Sequence, residues 1–249
     1  MSKVIIEWTF SPANYFEGAI EIHRDYCVMT IADGKAEACI DAAVFDSDPS
    51  IRQVLHNGLN DRFLGAQLLT HQGYTLSTSS IVRIDAEGRR NIFLEVDVAI
   101  GICFTGSTLD LQKRDSDGNI VVDTRKERIE KIEALARSIE KHRAKDTFLD
   151  ALLSSYQASV KDPDNELVHL YEIRDALSSR FPGRGTVRRK LGMTCHQWSR
   201  FGQLANDEPL RQGRHRGKNA GALRDATESE LEEARRIGRD MIEAYLKQL

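Results

Sequence analysis

Proline is scarce in this chain and long apolar runs are missing, and both features exclude whole classes of protein. Five prolines among 249 residues do not fit a collagen-like or mucin-like chain. No apolar stretch reaches the roughly 18 to 20 residues that a membrane-spanning helix needs, and the first residues, MSKVIIEWTF, carry no signal-peptide core. We therefore expect a cytoplasmic protein that does not associate with membranes.

Cysteine is also sparse, and the motifs of common metal and nucleotide sites are missing. The four cysteines lie far apart and form no CxxC pair or Cys/His cluster: Cys27, Cys39, Cys103 and Cys195. This spacing excludes a disulfide framework and a structural zinc site, and it predicts reduced, mostly buried thiols. The HExxH, Walker, GxGxxG and GxSxG motifs do not occur, so the sequence predicts neither a metal nor a cofactor.

The chain has an ordinary globular composition, with 41% hydrophobic and 29% charged residues, and its N-terminal half is patterned like a sheet. Up to about residue 123, apolar residues recur with period two, as in β-strands. Asp33-Gly34, between residues 27–32 and 35–40, is a type I′ hairpin signature, because both turn positions need positive φ. Residues 74–84 and 91–104 predict a second hairpin, and residues 49–69 predict one helix.

Beyond Asp123 the pattern becomes helical. Thr124 and Glu127 have the spacing of a capping box at the start of a charged helix over residues 124–142. Further helices are predicted over residues 146–159, 166–181, 186–190, 194–205 and 227–249. We therefore predict an α+β fold, in which an antiparallel, β-rich N-terminal domain with one helix (residues 1–123) precedes an all-α helical-bundle domain (residues 124–249).

Charge is distributed unevenly along the chain, whose net charge is −3. Residues 180–218 contain ten basic and two acidic residues, a local balance of +8 that leaves −11 for the remainder. Concentrated positive charge suits a phosphate-binding surface, because each Lys or Arg that meets a phosphate releases counterions. The residues of this basic segment that we expect to bind nucleic acid are Arg188, Arg189, Lys190, Arg200, Arg216 and Lys218.

Arg211, Arg214 and His215 are the candidate catalytic residues of the same segment. A histidine can exchange a proton with a ribose hydroxyl or a leaving oxygen, while guanidinium groups stabilise the charge that develops on phosphorus. In a helix, Arg211 and His215 would be i,i+4 neighbours on one face. The glycines at 213 and 217 are equally compatible with a loop, in which the pair need not converge.

Several short motifs occur together in the helical half: the run ELVHLYEIRDAL that begins at Glu166, Lys190-Leu191-Gly192, Trp198, Leu204-Ala205-Asn206, Arg214-His215-Arg216-Gly217 and a final amphipathic helix. In these motifs the helical half resembles bacterial HEPN-type domains. The resemblance implies a metal-independent ribonuclease site made from an arginine and a histidine and shared across a homodimer. It also implies RNA as a partner and a role in anti-phage defence, because some relatives place such a domain behind a β-rich sensor region.

Alternatives remain open for the basic segment. In the family, four to six residues separate the arginine from the histidine, whereas three residues separate Arg211 from His215, and the pairs Arg137/His142 and Arg189/His196 fit the family spacing. The segment also suits a non-catalytic module that binds nucleic acid or an acidic protein, or a loop tied down by carboxylates in a structural dimer. An exposed His215 favours binding or catalysis, and a His215 held by carboxylates favours the structural role. Trp198 is expected to be a core residue.

Overall fold

A computed structural model of the chain describes residues 2–93, 110–114, 119–183, 185–219 and 221–249, with the side chains of residues 91–93, 114 and 219 left out. Within these ranges the fold class is α+β, as predicted, with an antiparallel sheet in the N-terminal region and helices in the C-terminal region. No helix in the described ranges combines the length and the apolar character of a membrane span.

The strands form one large sheet and one small ribbon. They are β1 (Lys3–Ser11), β2 (Ile20–Arg24), β3 (Cys27–Ala32), β4 (Lys35–Asp41), β5 (Thr75–Leu76), β6 (Ser80–Ile84), β7 (Arg90–Phe93), β8 (Gln112–Arg114) and β9 (Ile120–Asp123). The large sheet has the order β2-β3-β4-β1-β6-β7, with β5 paired to β1, and β8 pairs with β9 separately. Every strand pair is antiparallel.

The hairpin predicted at Asp33-Gly34 is confirmed. Ala32 pairs with Lys35, and the two turn residues have φ of 48° and 81°, as a type I′ turn requires. In the second predicted hairpin, Ile84 pairs with Arg90, and residues 94–104 lie outside the described residues. Alternate side chains of β1, from Val4 to Phe10, are buried, so period two correctly marks one face of the sheet as core.

Eight α-helices lie in the described ranges: α1 (Ala42–Ser47), α2 (Ile51–Thr70), α3 (Thr124–His142), α4 (Thr147–Lys161), α5 (Glu166–Arg180), α6 (Thr186–Lys190), α7 (Cys195–Gly202) and α8 (Glu228–Leu246). The short helix α1, capped by Asp41, adds to the one helix predicted for the N-terminal region. The capping box predicted at Thr124 is wrong, because Asp123 accepts the Lys126 amide while the Thr124 hydroxyl accepts the amide of Leu111. The Thr227/Glu230 box at α8 is present.

The chain divides into two compact units, Met1–Phe63 with Tyr74–Glu133 and Leu64–Gly73 with Ala134–Leu249. The first is the β-rich unit and the second the helical unit. The predicted boundary after residue 123 coincides with the start of α3, whereas the compact units divide after Glu133 and assign residues 64–73 to the helical unit. The division into two domains after residue 123 stays a prediction.

The helical unit has its own apolar core, which positions α5. Buried side chains of α4, α5 and α8 form this core, among them Leu152, Leu170 and Ile237. Each such side chain stabilises the fold by about 1.5 to 3 kcal/mol through burial. α5 and α8 approach so closely that a Cβ on Gly238 would lie 3.2 Å from Leu170 Cδ2. One face of α5 is therefore fixed in the core, and its other face carries the surface described next.

The prediction of mostly buried thiols is wrong for the cysteines that the structure describes. Cys27 is buried, whereas Cys39 and Cys195 are exposed, and all three are free thiols. Cys103 lies outside the described residues. Cys39 is exposed because it occupies an outward position of β4, where the pattern alternates between buried and exposed residues.

Candidate nucleic-acid interface

The predicted catalytic residues lie in an irregular segment between α7 and α8. A π-helical turn (Gln203–Asp207) follows α7, and a 3₁₀ turn (Arg216–Asn219) follows His215. The backbone of the segment is fixed, since the Arg214 amide donates to Ala205 O at 2.8 Å and the Arg211 amide to Arg224 O at 2.9 Å. Arg211 and His215 are therefore not helical i,i+4 neighbours, and the loop interpretation holds.

The two candidate catalytic arginines contact different carboxylates. Arg211 Nε lies 3.8 Å from Asp225 Oδ1, and both side chains are mostly exposed. Arg214 Nη1 donates to Asp175 Oδ2 of α5 at 2.9 Å, and its guanidinium carbon lies 4.6 Å from the centre of the Tyr171 ring. Neither arginine contacts His215 in the described part of the chain.

His215 is exposed, and its ring has no hydrogen bond or ion pair among the described residues. The structural alternative requires an imidazole that carboxylates hold in place, and the described residues provide no such contact. Its neighbours in the segment, by contrast, are held in place. The side chain of Arg216 donates to Gly213 O at 3.1 Å, to Asp164 O at 2.8 Å and to Asn165 Oδ1 at 2.5 Å, which anchors the segment to the start of α5.

The residues expected to bind nucleic acid fall into two groups. Arg200 is paired, because its Nε donates to Glu233 Oε2 of α8 at 3.0 Å, and its predicted role in nucleic-acid binding stays a prediction. The other members have no carboxylate within ion-pair distance among the described residues: Arg188, Arg189, Lys190, Arg216 and Lys218. Arg188 instead donates to the Cys195 sulfur, and Lys190 Nζ lies 5.3 Å from the centre of the Phe181 ring.

Four basic side chains lie along α5 and form what we call the α5 basic face. From the start of the helix to its end they are Arg216 at Asn165, Arg214 at Tyr171, Arg174 at Tyr171 and Trp198, and Lys190 at Phe181. Positions 174 and 175 follow position 171 by three and four residues, and position 181 follows position 174 by seven, so these positions share one side of the helix. From residue 165 to residue 181 the face is about 25 Å long.

Arg174 was not predicted as a site residue. Its guanidinium carbon lies 4.6 Å from the Trp198 ring centre and 4.9 Å from that of Tyr171, and its Nη1 donates to the Tyr171 hydroxyl at 2.8 Å. Trp198 is only partly buried and packs against the helical core. It therefore contacts the core, as expected, and also the Arg174 guanidinium. In the sequence YEIR, Tyr171 and Arg174 are three residues apart, and residues at this spacing are neighbours on a helix. This spacing could have predicted the contact between them.

A second charged cluster of the helical unit is buried. Glu166 is 1% exposed and accepts from Arg235 Nε at 2.6 Å and Nη2 at 2.9 Å. His71 Nε2 lies 3.3 Å from the same carboxylate. Burial raises the pKa of Glu166, but the contacts with His71 and Arg235 outweigh it and hold the pKa below its ordinary value. Glu166 is therefore ionised, and it fixes the first turn of α5.

Comparison with known protein families, with curated proteins and with solved structures finds no match to the chain in any of the three. The described residues contain no group of three or more His, Cys, Asp or Glu side chains that could hold a metal ion. The geometry of the α5 basic face, with cations on aromatic rings and few carboxylates, is therefore what supports a function.

Proposed function

We propose that this chain is a cytoplasmic, nucleic-acid-associated protein that binds single-stranded RNA through the α5 basic face and the adjoining α6. One observation carries the proposal. Arg174, Lys190 and Arg216 contact rings or uncharged oxygens and have no carboxylate partner among the described residues, and the same is true of Arg188 and Arg189. A cation that the protein leaves without a counter-charge gains most from a phosphate.

The aromatic rings of the face favour a single strand over a duplex. Partly exposed Trp198 and the guanidinium group of Arg214 offer flat surfaces on which unpaired bases stack. In a duplex the bases are already stacked, and only the phosphates are available to the surface. Sequence preference is expected to be weak, because neither a guanidinium plane nor an indole selects one base.

RNA cleavage without a metal is a second candidate function. The observation that favours it is the exposed imidazole of His215, which has no partner in the described part of the chain and stands next to Arg214. The resemblance to HEPN-type domains supports the same role. The resemblance also implies a site that two copies of the chain share, and the proposal therefore includes a homodimer. If neither cleavage nor a dimer occurs, a non-catalytic binding module remains.

The binding proposal is tested by fluorescence anisotropy with a labelled single-stranded RNA at several salt concentrations. The double variant Arg189→Gln/Lys190→Gln removes two cations without carboxylate partners. The slope of log K against log salt is negative, and this variant should reduce its magnitude by up to about 1.4. The matched control is Arg236→Gln, because Arg236 pairs with Asp240 at 3.6 Å and should leave the slope unchanged. Equal slopes for both variants would exclude α6 from the interface.

A further inference from the structure

β2 (Ile20–Arg24) forms one edge of the large sheet in the described part of the chain. It pairs with β3 in an uninterrupted antiparallel register, from Ile20 opposite Ile31 to Arg24 opposite Cys27. An edge strand presents unpaired backbone N–H and C=O groups, and proteins usually protect it with proline, lysine or a bulge. The sequence of β2, IEIHR, has neither proline nor lysine, so the strand is suited to pair with a further strand.

The backbone groups of Glu21 and His23 point away from β3. Arg24 and Cys27 close the two-residue turn Asp25-Tyr26, and the closing pair of such a turn exchanges its backbone hydrogen bonds within the hairpin. Because these groups alternate in direction along a strand, every second residue before Arg24 also faces β3, whereas Glu21 and His23 face the edge. Two N–H and two C=O groups of β2 are therefore directed outward.

The side chains of the same two residues lie on the face of the sheet that points away from the core, next to Thr30 and Val28 of β3. Those of Glu21 and His23 are 59% and 70% exposed, and His23 Nε2 lies 3.0 Å from Glu21 Oε1. The second carboxylate oxygen and the second ring nitrogen have no partner among the described residues. β2 therefore carries a carboxylate and an imidazole side by side, and each can contact a further group.

We propose that β2 is a homodimer contact, at which β2 of a second copy continues the sheet as an antiparallel strand. Opposite residues of two paired strands share a face of the sheet, so the two-fold axis must pass through a residue: Glu21, Ile22 or His23. An axis at Glu21 or at His23 would place two carboxylates or two imidazoles opposite each other, and like charges in this position destabilise a sheet. An axis at Ile22 places Glu21 of each copy opposite His23 of the other, so the strand is complementary to itself.

The register at Ile22 fits the surroundings of β2. The outward backbone groups of the two strands exchange four hydrogen bonds, and the two Ile22 side chains, each half-buried in one copy, come into contact. Gly18 and Ala19 precede β2, are exposed and small, and leave room for the Asp25-Tyr26 turn of the second copy. The contact is short, so the dimer should be weak and concentration-dependent. It lies in the β-rich unit and depends neither on the RNA surface nor on the shared site proposed for the helical unit.

An exchange of charges between two variants tests this register, with sedimentation equilibrium of the full chain as the measurement. Glu21→Lys places a cation opposite the imidazole of the second copy, and His23→Glu places two carboxylates opposite each other. Each variant alone should self-associate about tenfold more weakly than the unchanged chain, because two equivalent pairs are lost. In a mixture of the two variants the introduced lysine lies opposite the introduced glutamate, and Glu21 lies opposite His23. The mixture should therefore associate at least as tightly as the unchanged chain.

The matched control is Glu87→Lys, which makes the same change of charge at an exposed turn of the β-rich unit and should leave self-association unchanged. Recovery in the mixture cannot come from damage to the fold, because each component carries its own substitution. A chain that stays monomeric up to about 0.5 mM would overturn the proposal. So would single variants that associate like the unchanged chain, since any dimer would then use another surface, or a mixture that associates no better than its components.

Discussion

Two regions of the helical unit are built from the same residue types, a histidine with arginines and carboxylates, and they differ in how the charges are matched. Around Glu166, His71 and Arg235 converge on one carboxylate that is 1% exposed. Around His215, Arg211 and Arg214 each contact a different carboxylate, and the exposed imidazole contacts none among the described residues. The first region matches its charges within one buried cluster, whereas the second leaves its histidine without a partner among the described residues.

The difference teaches how the two kinds of charge should behave on substitution. Breaking a buried ion pair leaves an uncompensated charge in a medium that solvates it poorly, which is costly. An exposed pair contributes little, because water solvates either partner alone. Each variant is therefore best assessed by two measurements, the free energy of unfolding and the affinity for RNA. The comparison predicts that the buried region affects the first and the exposed region the second.

The largest effect is expected for Glu166→Ala. This substitution leaves Arg235 half-buried without its main partner, and it should lower the free energy of unfolding by about 3 to 5 kcal/mol. Urea denaturation of the full chain, followed by circular dichroism, measures it. The control is Glu172→Ala on the same helix, because Glu172 is exposed and lies 3.9 Å from His169 Nδ1. A loss below about 1 kcal/mol for Glu166→Ala would contradict the contrast.

His215→Ala tests the exposed region. If His215 transfers a proton, its loss should slow metal-independent RNA cleavage by roughly 10²- to 10⁴-fold while the RNA affinity and the free energy of unfolding stay nearly unchanged. Cleavage is measured in EDTA with the same RNA that is used for binding. His196→Ala is the matched control, since His196 is also exposed and belongs to the alternative pair Arg189/His196. An equal loss for His196→Ala, or cleavage that survives without His215, would remove His215 from the site.

Acid pH should weaken the contact that secures the segment to α8. The hydrogen bond from Arg224 lowers the pKa of Glu230 from 4.5 to about 2, although burial opposes this change. A carboxyl whose pKa is lowered on folding contributes stability above its unfolded pKa, and this stability is lost as the pH falls towards the folded value. Stability should therefore decline between about pH 4.5 and pH 2. Glu230→Gln should remove about 2 kcal/mol at neutral pH and flatten the decline, as urea titrations at several pH values can show.

Local patterns along the chain predicted most of the fold. The turn at Asp33-Gly34 and the capping box at Thr227 are each determined by a few adjacent residues, so both could be identified without the structure. The cap of α3 was misplaced because Asp123 and Thr124 both suit that position, and a contact with Leu111, distant in sequence, decided between them. Residues 64–73 belong to the helical unit because of how they pack, and no local sequence pattern predicts this assignment.

The sequence predicted which segment carries the charged residues of the site, but it did not predict which residues these charges contact. Counting charges located the basic segment, but the sequence could not show that Arg200 reaches Glu233 on α8 while Lys190 meets only a ring. Glu166 went unnoticed because an acidic residue in the first turn of a helix is the usual choice for the helix dipole. Its role follows only from burial and from the arrival of Arg235 and His71 from distant parts of the chain.

Arg174 combines features of the two regions, because it is partly buried and has no carboxylate partner among the described residues. Its substitution should change stability and RNA affinity least. Its guanidinium is partly buried between Trp198 and Tyr171, and Gly202 leaves room for it, since a Cβ there would lie 2.5 Å from Arg174 Nη1. Arg174→Lys keeps the charge but loses the planar stack. The free energy of unfolding should fall by about 0.5 to 1 kcal/mol, and RNA affinity should weaken by a factor of roughly two to five.

The free energy of unfolding and the RNA affinity of Arg174→Lys also test whether the exposed region affects binding and the buried region affects stability. If the α5 basic face binds RNA, the loss of affinity should exceed that of Arg236→Gln, whose side chain pairs with Asp240 away from the face. A second variant, Gly202→Ala, should displace the Arg174 guanidinium without changing any charge, and it should weaken RNA binding to a similar extent. If both variants lower the free energy of unfolding by more than about 3 kcal/mol and leave RNA affinity intact, the stack belongs with the buried cluster around Glu166. The RNA surface would then be restricted to α6 and Lys218, whose cations have no carboxylate partner among the described residues.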